Sequence, residues 1–407
     1  MKAVQFVPSV PLYVLGKLVG PHIPGVYWSR WSCLQFRDVP EPDLPGPDWV
    51  RVRVTMGGIC GSDLNLITLH DTPTASVYTS FPFTIGHETV GRVAEVGPRV
   101  AGLRPGQRVV VDPVLSCAAR GFDTPCPACQ RGDLSLCHRR TEGRLSPGLL
   151  IGGCRDTSGS WSPYLVAHES QVIPLPDDVA DEDAVLVDPF ACALHAVLRN
   201  PPPEGGTALV IGAGVVGLCV VAALRALDLP ARIVALARHG FQADLAERFG
   251  AHDVVLVGSD DAYYEDVARL SGGRVLRPIL GRPVVHGGVP TVYECVGSDR
   301  SLDDALRFAA PSGRVVLLGL AGVTRRVDWT PIWLNELQVV GSFICSTERY
   351  REQTLRTYDL AVRLLAARRV GLGRLVTHRF PLVKYREAIA TALGKRRTRA
   401  IKVVLEP

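Results

Sequence analysis

Apolar and polar positions change rhythm once along this chain, near residue 190. Before that point Val50-Arg-Val-Arg-Val54 alternates with a period of two, and Gly91-Arg-Val-Ala-Glu-Val-Gly97 and Gly106-Gln-Arg-Val-Val-Val-Asp112 are short strands fenced by Gly and Pro. Such alternation marks half-buried strands, and the Gly and Pro fences between them predict a small barrel or sandwich. Beyond residue 190 compact apolar strands alternate with helical stretches. Thr207-Ala-Leu-Val-Ile211 is followed by a helical run to about Leu227. Further strands are expected at Arg232–Ala237, Thr291–Val296, Gly313–Gly319 and Leu337–Phe343. A helix over 354–367 and a last strand, Ala400–Leu405, complete the pattern, and that strand is expected to rejoin the first half. Two segments resist the rhythm. Leu12 to Gly25 is apolar but broken by Lys17, His22 and two prolines, so 10–35 reads as a surface or interface extension. Gly272 to Val289, rich in Gly and Pro, reads as a surface loop insertion.

Length turns this change of rhythm into a domain boundary. At 407 residues the chain exceeds the size at which a single core keeps growing, so two domains are expected. A hydrophobic share of 47% with 21% charged residues fits a soluble globular protein. The net charge of +5 is compatible with a phosphate-bearing ligand but lacks the dense basic stripe of a nucleic-acid binder. No apolar run reaches the roughly 18 residues of a membrane span, so no membrane partner is expected. The opening Met1–Val7 is too short an apolar run for a signal peptide, which points to the cytoplasm.

Candidate chemistry gathers in three places. Gly58-Ile-Cys-Gly-Ser-Asp63 and Gly86-His-Glu88 together offer a thiolate, an imidazole and a carboxylate, the donors that zinc selects. Cys60 and His87 are too far apart for one local finger, so a fold must bring them together. Cys117, Cys126, Cys129 and Cys137 form a second group, in which the close Cys126/Cys129 pair can grip one tetrahedral ion from a tight turn. Four thiolates leave no open position, so that site is expected to be structural. The eleven cysteines are therefore read as metal ligands and buried thiols rather than disulfides.

The third place is Gly212-Ala-Gly-Val-Val-Gly217, which directly follows a strand and opens a helix. In that context Gly212, Gly214, Val215, Val216 and Gly217 form a dinucleotide turn whose helix N-terminus holds a pyrophosphate. The end of the next strand selects the cofactor. An acidic side chain there favours NAD, whereas this chain has Arg238 and His239. Without a repelling carboxylate, Arg238 is suited to a 2′-phosphate, so NADP is expected over NAD.

With these motifs assembled, the chain resembles the zinc-containing medium-chain dehydrogenase/reductases, the superfamily of alcohol, sorbitol and threonine dehydrogenases. The likeness rests on G-I-C-G-S-D at 58–63, G-H-E at 86–88, the four cysteines, D-P-F-A-C-A-L-H-A at 188–196 and G-A-G-V-V-G at 212–217. The resemblance implies an α/β protein: a GroES-like β-rich catalytic domain, 1–188 with 344–407, and an inserted Rossmann domain with a doubly wound parallel sheet, 189–343. It implies a catalytic zinc on Cys60, His87 and Asp188 of the Asp188-Pro189 motif, with Glu88 as a carboxylate that exchanges on and off the metal. Asp is shorter than Glu, so binding of Asp188 through a water is an open alternative. The structural zinc falls to Cys117, Cys126, Cys129 and Cys137. Ser62 corresponds to the proton-relay hydroxyl and Asp63 to the acid that holds His87. Val296 falls to the cofactor, and Arg399 to its phosphates, although a solvated basic tail explains Arg399 equally well. One departure stands out: Asn65 occupies the position of the usual relay histidine, so the relay must end in water, a ribose hydroxyl or another residue such as His70.

The implied activity is hydride transfer between a nicotinamide and an alcohol/carbonyl pair, of polyol, sugar or amino-alcohol type. The implied assembly is a homodimer or homotetramer. The alternatives are a zinc-free quinone or enone reductase of the same fold, and a non-catalytic zinc- and nucleotide-binding protein.

Overall fold

The computed structural model describes residues 1–407, which form two compact units. The first comprises Met1–Asp188, Cys345–Thr347 and Tyr358–Pro407; the second comprises Pro189–Ile344 and Glu348–Thr357.

The first unit is built around the ten-residue strand Trp49–Gly58. Its valines fill the core while its arginines reach outward, as the period-two pattern requires. It pairs antiparallel with Thr89–Val96 and with Tyr164–His168. Arg108–Val111 and Val172–Pro174 extend the sheet on one side. On the other side Lys402–Glu406 joins the end of the strand, Val404 opposite Gly58 and Leu405 opposite Gly57. The C-terminal strand therefore arrives beside the residues that lead into Cys60.

The segment 10–35 is ordered rather than a simple extension. Pro11 sits in the first turn of the helix Val10–Val19, where a missing N–H costs nothing. A 3₁₀ turn, Pro24–Trp28, follows, and Leu12, Tyr13, Tyr27 and Trp28 pack on the core. Val10, Val14 and Leu18 stay exposed.

In the second unit six strands form one parallel sheet, in the order Asp253–Leu256, Arg232–Ala237, Thr207–Ile211, Val289–Glu294, Ala309–Leu317, Gln338–Gly341. Chain order reverses between Thr207–Ile211 and Val289–Glu294, the switch point at which doubly wound sheets take ligands. Two readings of this unit need correction. Residues 272–289 form a hairpin, Arg274–Leu276 against Val284–His286, rather than a loop. Its Arg282 is held by Asp261, Asp303 and Asp304, an ion-pair network no local pattern announces. The expected helix over 354–367 begins only at Thr357. Before it, Thr347–Tyr350 and Gln353–Arg356 form a hairpin whose turn is made by Arg351 in the left-handed region (φ 55°).

Candidate active site

The end of the long strand and the helix Gly61–Ile67 meet at Cys60. The Gly58 N–H donates to the Glu88 carbonyl (3.0 Å) and the Ile59 N–H to the Val403 carbonyl (3.0 Å). This backbone splice fixes three distant segments against each other. Gly58 is obligatory, since a Cβ there would lie 1.7 Å from Glu88 Oε2. Gly86 adopts φ +100°, a conformation that L side chains rarely take, and so turns the chain into His87. The outcome is a metal-sized group: donor atoms of Cys60, His87 and Glu88 lie within 4.8 Å of one another.

Asp63 serves two partners. Its Oδ2 accepts from the Cys60 N–H (2.8 Å), capping the helix, and its Oδ1 lies 3.6 Å from His87 Nδ1. Burial disfavours a charge on His87, but the charge of Asp63 and its hydrogen bond outweigh this, and the imidazole is held well above its ordinary range. A metal entering the site must displace that proton.

Two buried carboxylates, Glu88 within the group and Asp188 outside it, each have their own tether. Glu88 accepts from Lys402 Nζ through both oxygens (2.6 Å each), and Nζ also reaches the Ile59 carbonyl at 3.3 Å. Both side chains are about 1% exposed. Asp188, in the helix Val187–Arg199, lies outside the metal-sized group, and its Oδ1 accepts from Tyr358 Oη at 2.6 Å. Burial raises the Asp188 carboxyl above its usual range, with His87 and Lys402 pulling the other way.

Ser62 follows Cys60 by two residues. Its Oγ is buried and has no hydrogen-bond partner, a costly state for a hydroxyl unless something else completes it. Asn65 is half-buried in the same helix. His70 is exposed and its Nδ1 lies 2.8 Å from Thr68 Oγ1. The neighbouring Asp71 is pushed up to about 6 by burial and by the charge of Asp63.

Cys117, Cys126, Cys129 and Cys137 form a second group within 4.8 Å. Cys117 and Cys137 sulfurs are 3.6 Å apart. That is close to the roughly 3.8 Å expected across a tetrahedron of ~2.3 Å Zn–S bonds. Backbone N–H groups of Cys126, His138 and Arg139 donate to the sulfurs of Cys117, Cys126 and Cys137 at 3.3, 3.4 and 3.4 Å, which favours thiolates. A hydrogen bond from Cys129 holds Cys137 down to about 5, while Cys129 itself is raised. Fully buried Arg120 ties the lobe together by donating to the carbonyls of Leu115, Glu142 and Leu145.

In the second unit, Gly212 has φ +97° and would meet Val296 if it carried a Cβ, while a Cβ on Gly217 would lie 1.7 Å from the Gly212 carbonyl oxygen. Both glycines are steric necessities. Gly214 is different: nothing lies within 4 Å of a Cβ there, so space opens in front of the helix Val215–Ala226, which has no side-chain cap. An open cradle at an uncapped helix N-terminus fits a pyrophosphate. Val296 is half exposed (51%), Arg238 is exposed at the end of Arg232–Ala237, and the rings of His239 and Phe241 stack at 5.5 Å. Arg399 ends the short helix Lys395–Thr398 in the left-handed region and is exposed. The cation that reaches the metal-sized group is Lys402, a residue the sequence reading passed over. Its signal was a lysine inside the apolar run Ala400-Ile-Lys-Val-Val-Leu405.

Comparison with known proteins agrees with this geometry. The alcohol dehydrogenase GroES-like domain model matches residues 46–177 and the zinc-binding dehydrogenase model residues 215–359. An L-threonine 3-dehydrogenase of Anaeromyxobacter sp. (strain K) is 31% identical over 370 residues, 91% of this chain and 94% of that protein. The chain belongs to the zinc-containing medium-chain dehydrogenase/reductases. An L-idonate 5-dehydrogenase of Vitis vinifera is 30% identical over 361 residues, 88% of each chain. A zinc-binding dehydrogenase of Sinorhizobium meliloti 1021, solved with NADP, matches all of this chain and 99% of its own with a TM-score of 0.71 and 27% identity. This dehydrogenase is thus a zinc-dependent oxidoreductase that interconverts an alcohol and its carbonyl with a nicotinamide cofactor. It combines a GroES-like domain with a Rossmann-type parallel sheet. The zinc-free reductase and the non-catalytic binder find no support among these relatives. No helix is long and apolar enough to cross a membrane.

Proposed function

We propose that this dehydrogenase is an NADP-preferring enzyme acting on a polyol, sugar or amino-alcohol, with one catalytic and one structural zinc per chain. Cys60, His87 and Asp188 hold the catalytic ion, with Glu88 as an exchanging carboxylate, and the four cysteines hold the structural one. When bound, the zinc polarises the substrate oxygen and the nicotinamide takes or gives the hydride. Asp63 holds the His87 ring by Nδ1, which leaves the other nitrogen to the metal. Gly212, Gly214, Val215, Val216, Gly217 and Val296 receive the cofactor, with Arg238 and His239 toward its adenosine end.

The observation that carries the catalytic assignment is the orphaned Ser62 hydroxyl beside Cys60. A buried hydroxyl without a partner is completed by a substrate oxygen, to which it donates, or from which it takes a proton. Asn65 cannot titrate, so the proton leaves Ser62 through water, a ribose hydroxyl or His70. Relatives named for idonate and threonine support the substrate class, and the NADP bound to the Sinorhizobium enzyme supports the cofactor. A homodimer or homotetramer in the cytoplasm completes the reading. It is supported by the exposed Trp329, Trp333 and Leu334, which directly precede the edge strand Gln338–Gly341. The test is a panel of alcohols and carbonyls with both cofactors, followed by nicotinamide absorbance. Turnover of vicinal diols or amino-alcohols with NADP is expected. Turnover confined to quinones or enones overturns the reading.

A further inference from the structure

We propose that Tyr358 is a positioning residue for the catalytic metal, acting through Asp188. The inference rests on Asp188 being a ligand. Both residues lie in first helical turns: Asp188 is the second residue of Val187–Arg199 and Tyr358 the second residue of Thr357–Ala366. They meet in the interior, Asp188 7% and Tyr358 1% exposed, through a 2.6 Å hydrogen bond from Oη to Oδ1.

The two carboxylates near Cys60 and His87 differ in how they are occupied. Glu88 has an ammonium on both oxygens, so a cation that takes Glu88 must compete with the positive charge of Lys402. Asp188 accepts from a neutral phenol through Oδ1, so a metal at Oδ2 displaces no directly bound ammonium, although the charges of His87 and Lys402 act on this carboxylate too. A metal-bound carboxylate is usually oriented in this way, by a donor on its non-ligating oxygen. The tether matters more here than it does for a glutamate. Asp188 lies outside the metal-sized group formed by Cys60, His87 and Glu88, and its short side chain has a single torsion to spend before the carboxylate. A phenol fixed by burial limits that torsion and decides which oxygen is presented.

The test is cobalt substitution at the catalytic site in the full-length enzyme, comparing wild type, Tyr358→Phe and Asp188→Asn. Cobalt affinity is read by competition with a chelator and ligand geometry by the visible d–d bands. Melting temperature and retention of the structural zinc are monitored alongside. Loss of an outer donor of this kind costs about 10–100-fold in metal affinity. Tyr358→Phe is expected to weaken cobalt binding by that amount and to shift the bands, with the structural zinc retained. A lowered melting temperature with wild-type affinity and bands overturns the proposal, because it makes Tyr358 a packing residue only. If Asp188→Asn loses the metal while Tyr358→Phe does not, the proposal fails and the ligand assignment stands. If Asp188→Asn itself keeps wild-type affinity and bands, the ligand assignment fails and takes the proposal with it.

Discussion

Ser62, Arg238 and Asp71 carry the predictions that belong to single residues. Ser62→Ala removes the hydroxyl proposed for the proton relay, and general acid–base steps of this kind contribute about 10²–10⁴-fold. A fall in kcat of that order with KM nearly unchanged is expected from steady-state kinetics, and near-wild-type turnover removes the relay from the account. Asn65→His places a titrating group two positions before Ile67 in the same helix turn and is expected to add an ionisation to the kcat–pH profile. Arg238→Ala deletes the cation proposed for the 2′-phosphate. A charge-assisted hydrogen bond is worth about 1.5–3 kcal/mol, so kcat/KM for NADP should drop about 10–100-fold while that for NAD stays level. Asp71 gives a pH signature. Its pKa is raised to about 6, first by burial and then by Asp63, so the folded state binds the proton more tightly than the unfolded chain does. Stability therefore falls as pH rises from the ordinary carboxylate range to about 6. Because the side chain is half-buried, the effect is about 1–2 kcal/mol rather than the full shift. Asp71→Asn should melt higher than wild type at pH 7 and equal it near pH 4. Cys60, His87 and the four thiols were legible because metal donors are chemically distinctive at their spacing. Lys402 and Tyr358 were not, because their partners, Glu88 and Asp188, lie 314 and 170 positions away in chain order and nearby only after folding.

Among the elements, the strand Trp49–Gly58 was plain in its valine–arginine alternation, and the strand–glycine–helix order of 207–226 was equally plain. The elements that were misread lack such self-contained patterns. The hairpin Arg274–His286 depends on Arg282 reaching Asp261, Asp303 and Asp304, and a helix reading over 354–356 had no way to weigh the turn at Arg351. Arg282→Met removes the cation shared by Asp261 and the buried Asp303 and Asp304, leaving them to Arg300, Arg307 and the hydroxyls of Tyr263 and Tyr264, and should destabilise the second unit by about 1–3 kcal/mol, read as a loss of melting temperature. The four-cysteine lobe is likewise an element with its own test. Cys129→Ser is expected to release about one zinc per chain and to expose the lobe to proteolysis, while Cys60 and His87 keep their metal.

For the whole molecule, the first unit carries two metal-sized groups and the second an open glycine cradle. The C-terminal strand Lys402–Glu406 closes the sheet that carries Cys60, and the parallel sheet presents an open glycine cradle at its switch point. The division into a β-rich part and an alternating part was visible as the change of rhythm near residue 190; the return of the C-terminus to the first unit was inferred from one apolar run and is carried by the Ile59–Val403 and Gly58–Val404 pairings. Zinc-dependent hydride transfer is put to the test by withdrawing metal with a chelator while nicotinamide-linked alcohol oxidation is recorded. About two zinc ions per chain are expected at the outset, with loss of turnover as the ion on Cys60 and His87 leaves and recovery when zinc is returned. Undiminished turnover in chelated, zinc-free enzyme would rule out a zinc-dependent reaction.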